Sequence, residues 1–368
     1  MRTLDDIHQK ISRTEMTATV TSMLLSNGVL ILPRGVALAT ERSDGWESIL
    51  MAGGLALLTA WLCARLAARF PHQSFTEYTT SIAGRGMAAV LNLCIALYTL
   101  VGFAYTIRSF SDTAKLYLFD NTPVEVLMLL LLLVSAYAVA GERLGLLRLN
   151  LLFIPVVLGT ALLVLLMNLG FVETDNLRPF FVTDLRALFQ GAYASMLPFL
   201  GVIVLLFYVS MMRDPQAAPR AALVGVAIPL GFFLVVYTFC IGVFAHEGTS
   251  TLTYPVIELS KEVEVPGEFF ERFESIFLVI WIMAIFTTAA MLLDIAVWTL
   301  SGLFHRLHKI RCLSVLLPLG YTIAIMPQNQ VEVEALSHFL LLFGIVLITL
   351  LPGWLLLLAR WRKVSGHA

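Results

Sequence analysis

The chain has 368 residues, of which 59% are hydrophobic and 13% charged, and its formal net charge is −1. Soluble domains carry about a quarter of charged residues, so this composition excludes an ordinary soluble domain, and the near-neutral charge argues against a nucleic-acid partner. The surplus of apolar surface requires lipid, and we expect an all-α polytopic membrane protein.

Ten apolar segments follow one another along the chain, each long enough to cross a hydrocarbon core of about 30 Å at about 1.5 Å per helical residue. Ten spans divide into five and five, and an odd number per half inverts one half relative to the other, as in many transporters. We therefore predict one transmembrane domain over residues 1–368, with repeat one at about 12–170 and repeat two at about 185–360. The predicted spans are 12–40, 47–70, 87–118, 123–140, 145–170, 185–212, 220–246, 270–303, 312–327 and 333–360.

The distribution of Lys and Arg predicts the orientation of these spans. With the N-terminus in the cytoplasm, about two thirds of the 24 basic residues fall in the inner segments, and most acidic residues fall on the other side. Because inner loops of membrane proteins are enriched in Lys and Arg, we expect both termini to be cytoplasmic.

The middle of the first span is poorly suited to a continuous helix. Ser26, Asn27 and Gly28 are weak helix formers, and Pro33 removes a further backbone donor. A helix broken here would free backbone groups near the bilayer midplane, which is tolerated only where protein or a ligand cavity satisfies them. These groups could bind a small zwitterion; the alternative is a packing notch of small residues between helices.

The third span carries a polar stripe. Tyr98, Gly102, Tyr105, Ser109 and Asp112 are separated by steps of 4, 3, 4 and 3 residues and share one helical face. We expect this face to turn toward a cavity, although aromatic and small residues of this kind also serve as packing.

The sixth span contains a second interruption, marked by Tyr193, Ser195, Pro198, Phe199 and Gly201. Pro198 frees a carbonyl one turn earlier, and the alternative is a proline kink without a ligand. Two interrupted spans at matching positions of two halves indicate a transporter-type binding site.

The eighth span contains four candidate site residues, two of them acidic. Glu274 lies at its outer end, where the helix dipole favours an acid. Thr287 and Thr288 follow, and Asp294 stands in an apolar run, where a charge costs at least a few kcal/mol unless it is paired or hydrated. Asp294 could stay neutral, bind a cation or pair with an arginine of the cytoplasmic side.

Enzyme motifs do not occur in the chain. The sequence has no P-loop, no H-E-x-x-H and no G-x-S-x-G, and its four cysteines match neither a metal spacing nor a disulfide framework. We expect no enzymatic activity, no cofactor and no metal site.

Several stretches resemble a known family. The first span, with Ser26-Asn27-Gly28 and Pro33, resembles the first helix of permeases of the amino acid–polyamine–organocation superfamily. Within that superfamily, three further stretches resemble the B subunits of spore germinant receptors, the GerAB-type endospore germination permeases. They are Asn176-Leu177-Arg178-Pro179, Leu197-Pro198-Phe199, and Glu271-Arg272-Phe273-Glu274-Ser275-Ile276-Phe277 leading to Trp281.

The resemblance implies a leucine-transporter-like fold with helices 1 and 6 broken at the centre, in the lipid of the spore inner membrane. It implies a receptor complex with an A subunit and a lipoprotein C subunit as partners, and a germinant as ligand, typically an amino acid. On this view binding shifts a conformational equilibrium that the partners sense, which requires different affinities for the two states.

The sixth span departs from the expected family pattern. Pro198-Phe199 is followed by Leu200-Gly201, where we expect many relatives to carry an acid. The absence of an acid disfavours cation coupling and predicts a ligand with an uncharged or apolar side chain. Asp294 favours the alternative, a proton- or sodium-coupled amino-acid permease, and a conduit for ions or water is a third, weaker hypothesis.

The site predicted from the sequence therefore has two parts. The candidates for ligand binding are Ser26, Asn27, Gly28, Tyr98, Gly102, Tyr105, Tyr193, Ser195, Pro198, Phe199, Gly201, Thr287 and Thr288, and the candidates for coupling or gating are Asp294 and Glu274.

Overall fold

Helices make up nearly all of the structure, a computed structural model that describes residues 10–71, 73–262, 273–304, 308–364 and 366. In chain order the α-helices are α1 (Arg13–Thr40), α2 (Trp46–Ala68), α3 (Phe75–Ala83), α4 (Arg85–Tyr117), α5 (Val124–Ala140), α6 (Arg143–Met167), α7 (Leu185–Phe199), α8 (Val204–Tyr208), α9 (Ala218–Thr251), α10 (Pro255–Lys261), α11 (Phe273–Leu303), α12 (Lys309–Ile325), α13 (Gln330–Gly344) and α14 (Leu351–Trp361). Short 3₁₀ turns join several of them, and a π-helical turn, Ile345–Leu350, joins α13 to α14.

Seven stretches of the described chain are helical, long and apolar enough to cross a membrane, and the two limbs of α1 together make an eighth. The protein is therefore an integral membrane protein. The predicted count of ten spans is not confirmed, because the predicted spans 123–140 and 312–327 correspond to α5 and α12, helices of only 17 residues each. Seventeen residues is the lower limit for crossing the hydrocarbon core.

The predicted break in the first helix takes the form of a bend. Residues from Arg13 to Thr40 are α-helical throughout, and the limbs Arg13–Ser26 and Gly28–Thr40 differ in direction by 50°. A broken first helix is therefore not confirmed. The side chain of Asn27 lies outside the described part of the structure, as do Glu271 and Arg272 of the motif before α11.

The predicted break in the sixth span is also not confirmed. Pro198 lies inside α7, and the chain continues through a 3₁₀ turn, Leu200–Ile203, directly into α8. A 3₁₀ turn keeps i→i+3 hydrogen bonds, so it tightens the helix at this position and leaves few backbone groups for a ligand.

α1 lies at the centre of the bundle and packs on α6, α7, α9 and α11. Its approach to α9 is close, since a Cβ atom at Gly225 would lie 2.7 Å from the Cβ of Val20. The hydroxyl of Thr21 donates to the carbonyl of Gly225 at 3.2 Å across the same crossing. Small residues at helix crossings allow such close backbone packing in membranes, and this crossing fixes the N-terminal limb of α1.

Candidate ligand cavity and inner ion pair

A cavity of about 330 Å³ lies at the bend of α1, enclosed by α1, α4, α7 with its 3₁₀ turn, α11 and α13. Its volume is at the low end of the range typical of small-molecule sites. Eight of the residues predicted from the sequence to bind a ligand line it. They are Ser26, Gly28, Tyr98, Gly102, Tyr105, Pro198, Gly201 and Thr288.

α7 presents one face to the cavity, through Ala194, Leu197 and Pro198. Tyr193 and Ser195 lie beside this face and do not line the cavity. The ring of Tyr193 stacks on His338 with a centroid distance of 6.2 Å, and the hydroxyl of Ser195 donates to a carbonyl of its own helix. A step of one residue along a helix turns the side chain by about 100°. The sequence pattern alone does not show which of these side chains faces the cavity.

Phe199 and Thr287 are also buried outside the cavity lining. The ring of Phe199 packs edge to face on Phe233 at a centroid distance of 5.5 Å. The hydroxyl of Thr287 lies 3.0 Å from the hydroxyl of Ser22, within hydrogen-bonding distance. In this structure Phe199 and Thr287 hold helices together next to the cavity.

The glycines of the cavity are of two kinds. A Cβ atom at Gly28 would lie 2.7 Å from the Cβ of Pro198, and one at Gly201 would lie 2.9 Å from the Cγ of Met23. Gly102 differs, because its Cβ would meet Leu292 at 3.5 Å, an ordinary contact. Gly28 and Gly201 therefore allow α1 to cross the sixth span closely, whereas Gly102 contributes free space.

The C-terminal limb of α1, Gly28–Thr40, carries a charged residue at the mouth of the cavity. Arg34 forms an ion pair with Glu334 of α13 at 3.4 Å, and their side chains are 33% and 51% exposed. The Nε atom of Arg34 is buried and has no hydrogen-bond partner among the described residues. Polar groups buried in this way are uncommon, so the mouth retains capacity for an acceptor.

Two polar groups lie near the bend of α1. The indole Nε1 of Trp281 donates to the carbonyl oxygen of Ser26 at 2.7 Å. The hydroxyl of Thr288, one of the cavity-lining groups, is buried without a hydrogen-bond partner in the described structure. A ligand in the cavity could therefore bond to Thr288, while the Ser26 carbonyl is already engaged.

Asp294 follows two residues after Leu292 of the cavity lining and is 1% exposed. Its carboxylate accepts two hydrogen bonds from Arg143, from Nε at 2.5 Å and from Nη2 at 3.0 Å. Tyr208 donates a third at 3.0 Å, and the guanidinium carbon of Arg143 lies 3.8 Å from the ring centroid of Trp298. Among the three states that the sequence left open for Asp294, the structure shows the arginine pair.

Glu274 is far from this ion pair. It is half-buried at the start of α11, twenty residues before Asp294, which corresponds to about 30 Å along a helix. The two candidates for coupling or gating therefore do not form one site.

Sequence reasoning does not predict four residues of the site. They are Arg34 and Glu334 at the mouth, and Arg143 and Tyr208 beside Asp294. Arg143 was available as one of several inner-loop arginines, but nothing in the sequence selects it as the partner of Asp294. In the described part of the chain, no three His, Cys, Asp or Glu side chains are grouped to hold a metal ion.

Sequence comparison identifies the family of the chain. The family model described as "Spore germination protein" matches residues 10–333. The chain belongs to this family. It is 30% identical to spore germination protein YndE of Bacillus subtilis (strain 168) over 96% of this chain and 97% of that protein. It is 32% identical to spore germination protein GerLB of Bacillus cereus, over 97% and 96%.

Solved transporters share the fold of this spore germination protein. The structure of Mhp1, a nucleobase-cation-symport-1 family transporter with bromovinylhydantoin bound, superposes with a TM-score of 0.69, 15% identity, and coverage of 97% of this chain and 81% of that one. MhsT in complex with L-phenylalanine gives a TM-score of 0.71, 13% identity, and coverage of 92% and 88%. The fold is thus the leucine-transporter-like fold that the sequence resemblance implied.

Proposed function

We propose that this protein is the germinant-sensing membrane subunit of a spore germination receptor and binds a small germinant in the cavity at the bend of α1. The observation that carries the proposal is the cavity itself. Helices of both halves of the chain enclose it, and eight of the residues predicted from the sequence to bind a ligand line it. Membership of the spore germination protein family supports the biological role.

The lining of the cavity favours an amino acid with an uncharged or apolar side chain. Most of its wall is apolar, including Leu24, Ile31 and Leu292, and no acid follows Pro198-Phe199. The Thr288 hydroxyl supplies one polar contact inside. Arg34 at the mouth is paired with Glu334 through Nη1, and its Nε, which has no partner within the described chain, is a donor that suits a carboxylate.

The inner ion pair supports a switching role. Arg143, Asp294 and Tyr208 belong to α6, α11 and α8, so their hydrogen bonds join three helices on the side opposite the mouth. A ligand that binds more tightly to one arrangement of these helices shifts the equilibrium toward it. In this proposal the ion pair closes the inner side, and germinant binding changes the fraction of molecules in which the pair is formed.

The proposal places the subunit in the spore inner membrane, with both termini cytoplasmic and with A and C subunits as partners. The subunit performs no catalytic step, and the change in helix arrangement is what the partners sense. Support comes from the family membership and from the excess of Lys and Arg in the segments assigned to the inner side.

A second candidate function is a proton- or sodium-coupled amino-acid permease. The observation in its favour is the fold shared with a cation symporter. Asp294 is the residue that would carry the coupling, although both of its carboxylate oxygens are engaged by Arg143 in this structure.

The two functions differ in whether the ligand accumulates. The purified protein in proteoliposomes, with labelled alanine and other apolar amino acids, would be assayed for binding and for uptake, with and without proton and sodium gradients. Saturable binding without accumulation is the expected result. Gradient-driven accumulation would establish the permease instead.

A further inference from the structure

A second cleft, of about 580 Å³, lies between the C-terminal end of α2, the start of α9 and the end of α14. All three helix ends belong to the predicted inner side. Four arginines line the cleft: Arg65 of α2, Arg69 directly after α2, Arg220 of α9 and Arg360 of α14. The cleft shares no lining residue with the central cavity, so it is a separate feature of the fold.

The positive charge of this basic cleft is not compensated by the described protein. No Asp or Glu lines it, and none of its arginines belongs to an ion pair among the described residues. Arg69 donates from Nε to the carbonyl of Val364 at 3.0 Å, while Arg65, Arg220 and Arg360 are exposed. Like charges gathered in one cleft repel one another, and an anion between them removes that cost.

Apolar residues of the lining lie one helical turn from the arginines. On each of the three helices, an arginine is followed one turn nearer to the membrane centre by an apolar residue that also lines the cleft. The three pairs are Arg65 with Trp61, Arg220 with Leu223, and Arg360 with Leu356. The guanidinium of Arg65 lies over the ring of Trp61, 4.5 Å from its centroid. Tryptophan is typical of the membrane interface, which places the arginines at headgroup depth.

We propose that this basic cleft binds the headgroup of an anionic phospholipid. The arginines would hold the phosphate, which guanidinium groups bind with paired hydrogen bonds. The acyl chains would lie along Trp61, Leu223 and Leu356. A free phosphate ion would need the arginines alone, so the apolar row beneath them favours lipid. Basic pockets between helices on the cytoplasmic side are suited to such headgroups. The bound lipid joins α2, α9 and α14 and stabilises their arrangement.

The test uses the full chain purified in a neutral detergent. Thermal unfolding and retained lipid are measured while one of five additions is made: dioleoyl phosphatidylglycerol, cardiolipin, dioleoyl phosphatidylcholine, inorganic phosphate or a glutamate-rich peptide. The variant Arg65→Gln/Arg220→Gln is compared with Arg85→Gln/Arg311→Gln, which removes the same charge from exposed arginines of the predicted inner side that lie outside the cleft. The cleft variant should bind anionic lipid roughly 30-fold more weakly, about fivefold for each arginine removed.

Each outcome decides the proposal. Stabilisation of the unmodified protein by the two anionic lipids, reduced in the cleft variant and retained in the control variant, supports it. Equal stabilisation by phosphatidylcholine would contradict it, and so would equal lipid binding by the two variants. Stabilisation by inorganic phosphate at the same concentration would indicate a free-anion site. A response to a glutamate-rich peptide in the absence of any response to anionic lipid would indicate an acidic protein segment. The first comparison needs no variant, so a folding defect in the mutant does not prevent the test.

Discussion

The indole of Trp281 donates a hydrogen bond to the carbonyl of Ser26 at 2.7 Å, and both residues are buried. This contact connects α11 to α1 at the bend where the sequence predicts freed backbone groups. A carbonyl without a partner at this depth would be costly. Trp281 therefore gives the Ser26 carbonyl a hydrogen-bond donor from a neighbouring helix.

Replacement of Trp281 by Phe should weaken both the fold and the ligand site. The change removes the donor to the Ser26 carbonyl, and the loss of one such hydrogen bond costs about 0.5–1.5 kcal/mol. Thermal unfolding of the purified protein should show the loss, and germinant affinity should fall with it. Trp354→Phe is the matched control, since Trp354 is exposed on α14. Equal effects of the two substitutions would argue against a special role for the Ser26 contact.

Filling the cavity from Gly102 should strongly reduce the germinant response while the protein still folds. A Cβ atom at Gly102 meets only Leu292, at 3.5 Å, so the larger side chain of Gly102→Leu extends into the cavity. Overpacking costs about 1–3 kcal/mol. In this variant the cost reduces the free energy of ligand binding, which corresponds to roughly a 5- to 150-fold loss of affinity. Spore germination and ligand binding are the measurements.

The control for this prediction is Gly231→Leu in α9, where an added Cβ atom would have no neighbour within 4 Å. It should leave the response unchanged. Substitution at Gly28 or Gly201 is less informative, because Cβ atoms there approach neighbours to 2.7 Å and 2.9 Å and would disturb helix packing. A normal germinant response in Gly102→Leu spores would exclude the cavity as the germinant site.

The buried pair of Arg143 and Asp294 predicts a strongly non-additive mutant cycle. Removing one partner, as in Asp294→Asn or Arg143→Met, leaves the other partner without its counterpart and should destabilise the protein by about 3–5 kcal/mol. The double variant Arg143→Met/Asp294→Leu removes both charges and should recover much of that stability. Glu262→Gln, at an exposed position, is the control and should be neutral.

The same cycle separates a switch from a purely structural pair. If the pair closes the inner side, the double variant will fold but will have altered germinant dependence, such as germination at lower ligand concentration. Recovery of stability together with an unchanged dose–response would assign Arg143 and Asp294 a structural role only.

The positions of the helices could be predicted because they depend on local features. Apolar runs and the residues that end them define the predicted span 123–140, which is α5 (Val124–Ala140) within one residue at its start. The predicted span 220–246 ends where α9 is interrupted at Ala245, with φ 55° and ψ 177°. The ends of α5 and the interruption of α9 both depend on residues close by in the chain, so they can be predicted from a single sequence.

Features that depend on distant partners could not be predicted. Asp294 and Arg143 are 151 residues apart, and the sequence offers several inner arginines without distinguishing them. The sequence predicts a break in α1 where the structure shows a bend. Trp281, which donates to the carbonyl of Ser26 at this bend, is 255 residues away and cannot be recognised from the local sequence. The sequence also places Tyr193 and Ser195 in the cavity. Residue types indicate where a helix is interrupted, but they do not show which way each side chain points from the helix.

The hydroxyl of Thr288 provides a test of ligand contact that is separate from stability. It is buried, lines the cavity and has no hydrogen-bond partner in the described protein. Thr288→Val keeps the shape and removes only the hydroxyl, so thermal stability should be unchanged or slightly higher. Germinant affinity should fall by roughly 2- to 10-fold, the equivalent of one hydrogen bond of about 0.5–1.5 kcal/mol. Thr322→Val, at an exposed hydroxyl that bonds within its own helix, is the matched control. A loss of stability in Thr288→Val without a loss of affinity would mean that the hydroxyl serves the fold, and the ligand would then have to be placed elsewhere in the cavity.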